Sequence, residues 1–282
     1  MYIIFINLGI FMYRHLNSKD FFRITALYTA FSEKFSPDYF VSGETHDFWE
    51  IVIVTEGEIG VTAGNSVLHL SKGQAVLHEP NEFHNLWSER GRESAIIIFS
   101  FSAENIPASA NKTFEVRSLD EAFSVLEDIL NSVQMHKHWA ENINPECELE
   151  AQAAIKRLEI FLLQTLSDQM NNKTGVRLSQ SAKHYTEITK FLEKNIHRSL
   201  TVGDIAAECH IGAVTVKKVF SFYAGMGVIS YFNRLKIRSA IKMLEKGATV
   251  CEVSESLGFL NQNYFCTVFK RITGKTPKSF KI

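Results

Sequence analysis

At 282 residues the chain is longer than most single hydrophobic cores, so two domains are expected. Its 45% hydrophobic and 22% charged residues are ordinary globular usage and argue against a disordered or fibrous chain. The net charge of −1 hides a division: from residue 180 onward 16 Lys and Arg stand against 7 Asp and Glu, net +9, and before it 14 stand against 24, net −10. Such segregation is expected when one half meets a polyanion and the other does not.

The first 13 residues are apolar in places (Ile3, Phe5, Ile6, Leu8, Ile10, Phe11). They lack a basic leader and a small-residue cleavage site, and they fall short of the ~20 residues of a spanning helix, so no membrane role is expected. Met12 is a second candidate start, with residues 1–11 an upstream extension; a first strand or a stray hydrophobic tail is the other reading. Short β-rich runs follow at 51–55, 59–63, 67–70, 74–77 and 95–101, broken by Glu56-Gly57, Gly64-Asn65 and Lys72-Gly73, which predicts an antiparallel sandwich or barrel. A 3.6-residue stripe from Leu119 to about Trp139, with Ser118 as N-cap, predicts a helix. A second helix is predicted after Pro145, with Leu149, Ala153, Ile155, Leu158, Phe161, Leu162 and Leu166 as its apolar face, packed on the sheet or on a second protomer. Residues 168–181 lose this periodicity and read as a linker between a sensing and dimerising domain, 1–167, and a second domain, 182–282. Four scattered cysteines, without a CxxC pair, point to neither a zinc site nor a disulfide framework and fit a reducing cytoplasm.

Beyond the linker the chain repeats itself. Val219-Phe220 is followed by Gly225, and Val268-Phe269 by Gly274, 49 positions later; Ile205-Ala206 and Val253-Ser254 mark the same repeat upstream. Each copy supplies a short helix with a small residue, a sharp turn and a second helix with apolar anchors, which predicts two helix-turn-helix units. The first comprises 202–209, a turn at His210 and a recognition helix 213–223. The second comprises 250–257, a turn at Gly258 and a recognition helix 261–273, and a long helix over 229–246 joins them. Two such helices one DNA turn apart would let one subunit read successive major grooves.

The segments LTVGDIAAECHI (200–211), YFNRLKIRSAIKMLEKG (231–247) and LGFLNQNYFCTVFKRITGKTPKSFK (257–281) resemble the AraC/XylS family of transcription regulators over about 100 residues. The first unit departs from that pattern, with His210 where a turn glycine is usual, Gly212 where Ser or Thr caps, and Val216 where Leu is common; the lost cap is expected to cost about 1 kcal/mol. Exposed recognition positions expected to meet DNA are Val214, Thr215, Lys217, Lys218 and Ser221 in the first unit, and Asn261, Gln262, Asn263, Thr267, Lys270 and Arg271 in the second. Asn and Gln suit adenine, Val and Thr a thymine methyl, and Lys and Arg phosphate.

In the first half, HDFWE (46–50) and Gly73-x6-Pro80-x3-His84 resemble the two cupin motifs. His46, Glu50 and His84 form a possible facial metal set, but Phe48 replaces the second histidine of the usual pair, and no catalytic residue, metal or cofactor is expected. Resemblance to AraC-like sensors implies an effector pocket, often for a sugar, with His46, Trp49, Glu50, Phe83, His84 and Trp87 as contacts. The expected whole is an α+β two-domain protein: an antiparallel cupin-like barrel with helices, then an all-α tandem helix-turn-helix domain. The expected protein is a cytoplasmic, non-enzymatic, homodimeric activator at double-stranded DNA sites, controlled by a small-molecule effector, with RNA polymerase as a further partner. The alternative is a cupin metalloenzyme fused to a DNA-binding module.

Overall fold

The computed structural model describes residues 19, 21–40, 43–89, 91–107, 112–167 and 179–280. The apolar start, residues 1–13, lies outside them.

Strands β1 (Arg23–Phe35), β2 (Trp49–Glu56), β3 (Glu58–Ala63), β4 (Ser66–Ser71), β5 (Gln74–His78), β6 (His84–Ser88), β7 (Ser94–Glu104) and β8 (Thr113–Glu115) lead into helix α1 (Leu119–Ser132). A hairpin, β9 (Val133–His136) and β10 (Trp139–Ile143), and helix α2 (Glu148–Ser167) complete the β-rich half. The strands form a seven-stranded sheet ordered β8-β5-β2-β7-β1-β10-β9 and a three-stranded sheet ordered β4-β3-β6, with every strand pair antiparallel.

Because side chains alternate across a strand, each central strand serves two cores. Ile51 and Ile53 of β2, with Ile97, Phe99 and Phe101 of β7, pack outward under α1 and α2. Val52 and Val54, with Ile96 and Ile98, face inward against Ile59, Val61, Leu70 and Leu86 of the smaller sheet. Strands buried on both faces read as continuous apolar runs, which is why these were legible.

Ser118 caps α1 through the Glu121 amide, as expected. The helix stops at Ser132, however, not near Trp139. Val133 turns extended, and the chain returns as the β9–β10 hairpin to pair with β1 at Thr29 and Trp139. In α2 the inward face is Ala151, Ala154, Leu158, Phe161, Leu162, Thr165 and Leu166, while Leu149 lies 77% exposed and Ala153 outward. Four residues of the expected stripe, Leu158, Phe161, Leu162 and Leu166, are buried as anticipated, and only at the N-terminal end do Ala151 and Ala154 replace Leu149 and Ala153.

The helical half contains α3 (Gln180–Lys194), α4 (Val202–Glu208), α5 (Ala213–Tyr223), α6 (Val228–Glu245), α7 (Val250–Ser256) and α8 (Gln262–Thr273), ending in a 3₁₀ turn over Pro277–Phe280. Of the expected linker, 168–178 lies outside the described residues; Ser179 is the N-cap of α3, whose first residues were read as linker. Helices α4 and α7 both begin with a full capping box, Thr201 with Asp204 and Thr249 with Glu252. One core joins α3, α4, α5 and the first half of α6; a second joins the rest of α6 with α7 and α8. The long connector is thus shared by both helix-turn-helix units.

The two turns differ as the residues foretold. His210 adopts φ +54, the left-handed conformation a glycine would take without strain, and Gly258 adopts φ +60. Gly212 occupies the N-cap of α5 with no side-chain hydrogen bond. A glycine cap costs only a few tenths of a kcal/mol, so the penalty is smaller than expected.

Candidate functional site

The barrel interior is apolar at one end and polar at the other. On β2 the inward positions run Val54, Val52, Glu50. Glu50 pairs in register with His78 of β5 and Ser100 of β7, and Ser100 pairs with Thr29 of β1. Ser100 Oγ donates to Glu50 Oε2 at 2.8 Å and lies 2.5 Å from Thr29 Oγ1. His84 opens β6, and His46 precedes β2. His84 Nε2 lies 3.4 Å from Glu50 Oε1, and His46 Nε2 lies 3.6 Å from Glu50 Oε2. His78 stacks on His84 at 4.2 Å between ring centres. Glu82, also buried, meets Lys112 and lies 3.7 Å from His78.

Burial alone would raise the Glu50 carboxyl, but the imidazoles of His46 and His84 outweigh it and hold it below the usual carboxylate range. Burial would lower His84; Glu50 beside it outweighs that and raises it. His78, buried and beside His84, is pushed down to about 4. Glu50 is therefore charged, while His78 is neutral near neutral pH.

The polar end adjoins the helical half. The β3–β4 hairpin tip reaches between α3 and α6, where the hydroxyls of Tyr185 and Tyr231 both donate to the Gly64 carbonyl, at 3.0 and 3.1 Å. Thr62 Oγ1 donates to the Tyr223 carbonyl at the end of α5, and Asn65 Nδ2 to Glu193. Trp87 stands against Phe222 and Tyr223, and Phe83 against Tyr231. Val67, Phe83 and Trp87 belong to the same hydrophobic core as α3, α4 and α5. A cleft of about 350 Å³ between the halves is lined by His46, Thr45, Phe83, Tyr231, Arg234, Arg238 and Lys275 among others. A larger, more apolar cavity of about 740 Å³ lies apart, between β1, the β9–β10 hairpin and α2.

On α5, Val216, Val219 and Phe220 point inward, and Val214, Lys217, Lys218 and Ser221 are exposed with Thr215 half-buried. On α8, Phe265, Val268 and Phe269 are buried, and Gln262, Asn263, Thr267, Lys270 and Arg271 are exposed. Asn261 is the N-cap of α8, its side-chain oxygen accepting from the Tyr264 amide at 2.8 Å, and Thr267 Oγ1 donates to the Asn263 carbonyl.

A family model described as an AraC-like ligand binding domain matches residues 28–158, and one described as a helix-turn-helix domain matches 205–281. Together they span most of both halves. The chain belongs to the AraC family.

Relatives of this AraC-family regulator include the HTH-type transcriptional activator RhaS of Pectobacterium carotovorum, 23% identical with 94% of this chain and 96% of that protein covered. RhaR of Mannheimia succiniciproducens is 22% identical, with 84% and 85% covered. The bifunctional transcriptional activator/DNA repair enzyme AdaA of Bacillus subtilis is 27% identical over 95 residues, where the match covers 33% of this chain and 45% of AdaA. Among solved structures, unsaturated fatty acid bound ToxT of Vibrio cholerae aligns over 92% of this chain and 95% of its own at 15% identity and TM-score 0.37. No described helix is long and apolar enough to cross a membrane.

In this AraC-family chain the six expected effector contacts divide. His46, Glu50 and His84 converge at the polar end. Phe83 and Trp87 pack against the helical half, and Trp49 against the outer core below α1 and α2. Glu44, His78, Glu82 and Lys112 were not foreseen, nor were Tyr185 and Tyr231. The alternation of Glu50 with Val52 and Val54 was the one available signal that an acid points inward among valines; the others join only through strand register and interdomain packing.

Proposed function

We propose that the chain is a sequence-specific activator that receives a small-molecule effector at the polar end of its barrel and reports it to the first helix-turn-helix through the β3–β4 hairpin. The observation that carries this reading is the shared core. Val67, Phe83 and Trp87 of the sensor are buried with Phe220 and Tyr223 of the first recognition helix, so a shift of β6 must be felt at α5.

His46, Glu50 and His84 are the effector-facing groups, and the adjoining cleft with Arg234, Arg238 and Lys275 is its entrance, suited to a hydroxyl- or carboxylate-bearing molecule such as a sugar or sugar acid. Activation follows the naming of RhaR and RhaS and makes RNA polymerase the downstream partner, with the cytoplasm as its place of work. Phe123 and Leu130 on α1, with Ile160 and Leu163 on α2, are exposed apolar residues that support a homodimer through these helices.

The test is binding of the full-length protein to a labelled duplex carrying its own upstream region, titrated against salt and random competitor DNA. Retained binding with a steep salt slope supports the regulator. No preference over random DNA at any salt, with or without candidate effectors, overturns it.

A further inference from the structure

We infer that Glu44, His46, Glu50 and His84 form a binding site for a divalent transition metal, with zinc(II) the best-suited ion. The inference deepens the reading of the polar end as the effector site, because an effector there would meet the metal, but metal binding itself does not depend on DNA recognition.

Four features of this chain converge. First, one donor atom from each of the four residues lies within 4.8 Å of all the others. Second, both histidines are turned the same way. His46 Nδ1 lies 3.0 Å from the Phe48 carbonyl and His84 Nδ1 lies 3.0 Å from the Glu82 carbonyl, so each Nδ1 carries the proton that it donates and Nε2 is the nitrogen whose lone pair the neutral ring offers to a metal. Fixing the ring through a backbone carbonyl is how proteins orient metal-binding imidazoles. Third, those two Nε2 atoms are buried and have no hydrogen-bond partner, a costly arrangement unless something else occupies the space between them.

Fourth, the spacings are too long for hydrogen bonds and approach those of a coordination shell, which the donors would complete by closing on the ion by up to about an ångström. The Nε2 to carboxylate distances are 3.4, 3.6 and 3.8 Å. Donors around a tetrahedral ion with bonds of ~2.0–2.1 Å stand about 3.3–3.4 Å apart. Phe48, at the position that the usual cupin pair gives to a second histidine, is not a ligand. It stacks on His46 at 3.8 Å between ring centres and holds that ring in place. Glu44 supplies the fourth donor from a segment whose backbone pairs with His84 in both directions. Ser100 donates to Glu50 and orients its carboxylate.

Two imidazoles and two carboxylates make a closed set of four protein ligands, the ligand count of a non-catalytic site although without the thiolates usual in structural zinc sites; a catalytic zinc keeps a position for water. Three of the donors are held by the barrel. Glu44, with its side chain 61% exposed, is the one that an incoming anionic effector would displace.

The test uses the untagged full-length chain, stripped with a chelator and titrated with zinc(II) by calorimetry, with cobalt(II) as the spectroscopic probe. One equivalent per chain is expected, with cobalt visible bands of tetrahedral intensity. His84→Ala and Glu50→Gln should each weaken binding at least about tenfold, and Glu44→Gln should weaken it less while altering the cobalt spectrum. Because a buried substitution can unfold the barrel, His84→Gln is measured in parallel, and each variant is checked by circular dichroism and by DNA binding of its helical half. No binding by the folded wild-type chain, or binding of equal strength in folded His84 and Glu50 variants, would overturn the site. Either result would leave the DNA-binding reading standing.

Discussion

A single lysine ties the two DNA-reading units together. Lys236 of α6 is 3% exposed, and its Nζ donates to the Arg198 carbonyl before α4 at 2.7 Å and lies 3.4 Å from the Gly258 carbonyl in the second turn. The faces of Phe232 and Phe259 stand over it at 4.7 and 5.0 Å. Burial pushes its ammonium down to about 8 from the ordinary 10.5. A base whose pKa falls on folding binds fewer protons folded than unfolded, so stability should rise between pH 8 and 10.5 in the wild type. Urea unfolding of Lys236→Met across that window should show a shallower rise and a loss of about 1–3 kcal/mol at neutral pH, because two carbonyls lose their donor. Nearby, a Cβ on Gly258 would lie 2.1 Å from the His197 carbonyl, at a backbone φ of +60. Gly258→Ala should therefore cost about 1–3 kcal/mol by the same measurement, and an unchanged midpoint would show that this turn can open.

At the scale of elements, the recognition helices differ in what they can do. The α5 helix begins at Gly212 without a side-chain cap and ends packed on the sensor through Phe222 and Tyr223. The α8 helix has both a side-chain cap at Asn261 and a left-handed Gly274 at its C-terminus. We expect Lys217→Ala and Arg271→Ala to weaken binding to specific and random DNA alike and to reduce the salt slope by about 1 each. Gln262→Ala should instead relax sequence preference by about 1–3 kcal/mol at one position. Both are read from competition binding across a salt series, and equal losses on specific and random DNA for Gln262→Ala would remove it from the base-reading set.

At the scale of the whole molecule, the hairpin tip at Gly64 pins the barrel to the helical half. Its carbonyl accepts from two buried tyrosines, one on α3 and one on α6. Removing both hydroxyls in Tyr185→Phe with Tyr231→Phe should cost about 1–3 kcal/mol and speed amide exchange along β3 and β4. If sensing passes through this contact, the same variant should make DNA binding insensitive to effector while leaving the salt slope unchanged. Exchange that quickens with effector control intact would place the coupling elsewhere, at Thr62 and Trp87.

Periodicity, capping residues and a 49-residue repeat were sufficient to read the helix-turn-helix pair from the chain, including the left-handed turn at His210 and the uncapped start of α5. These are local features: a helix face, a turn and a cap are set by residues within a few positions of one another. The apolar strands were legible for the same reason, since both of their faces are buried. The early end of α1, the burial of Ala151 and Ala154 in place of Leu149 and Ala153 at the start of α2, and the β9–β10 hairpin were not legible. What α2 buries depends on which sheet face it meets, and β9–β10 forms because β1 offers an edge far away in sequence. Tertiary structure alone decided which candidate residues share a site. His46, Glu50 and His84 were visible as a motif, but His78 reaches them through the register of β2 and β5, Glu44 through its bridge to His84, and Glu82 from the β5–β6 loop. Phe83 and Trp87 pack against the helical half, Phe83 still lining the cleft beside His46, and burying aromatic surface between two domains is a long-range choice that no local pattern records.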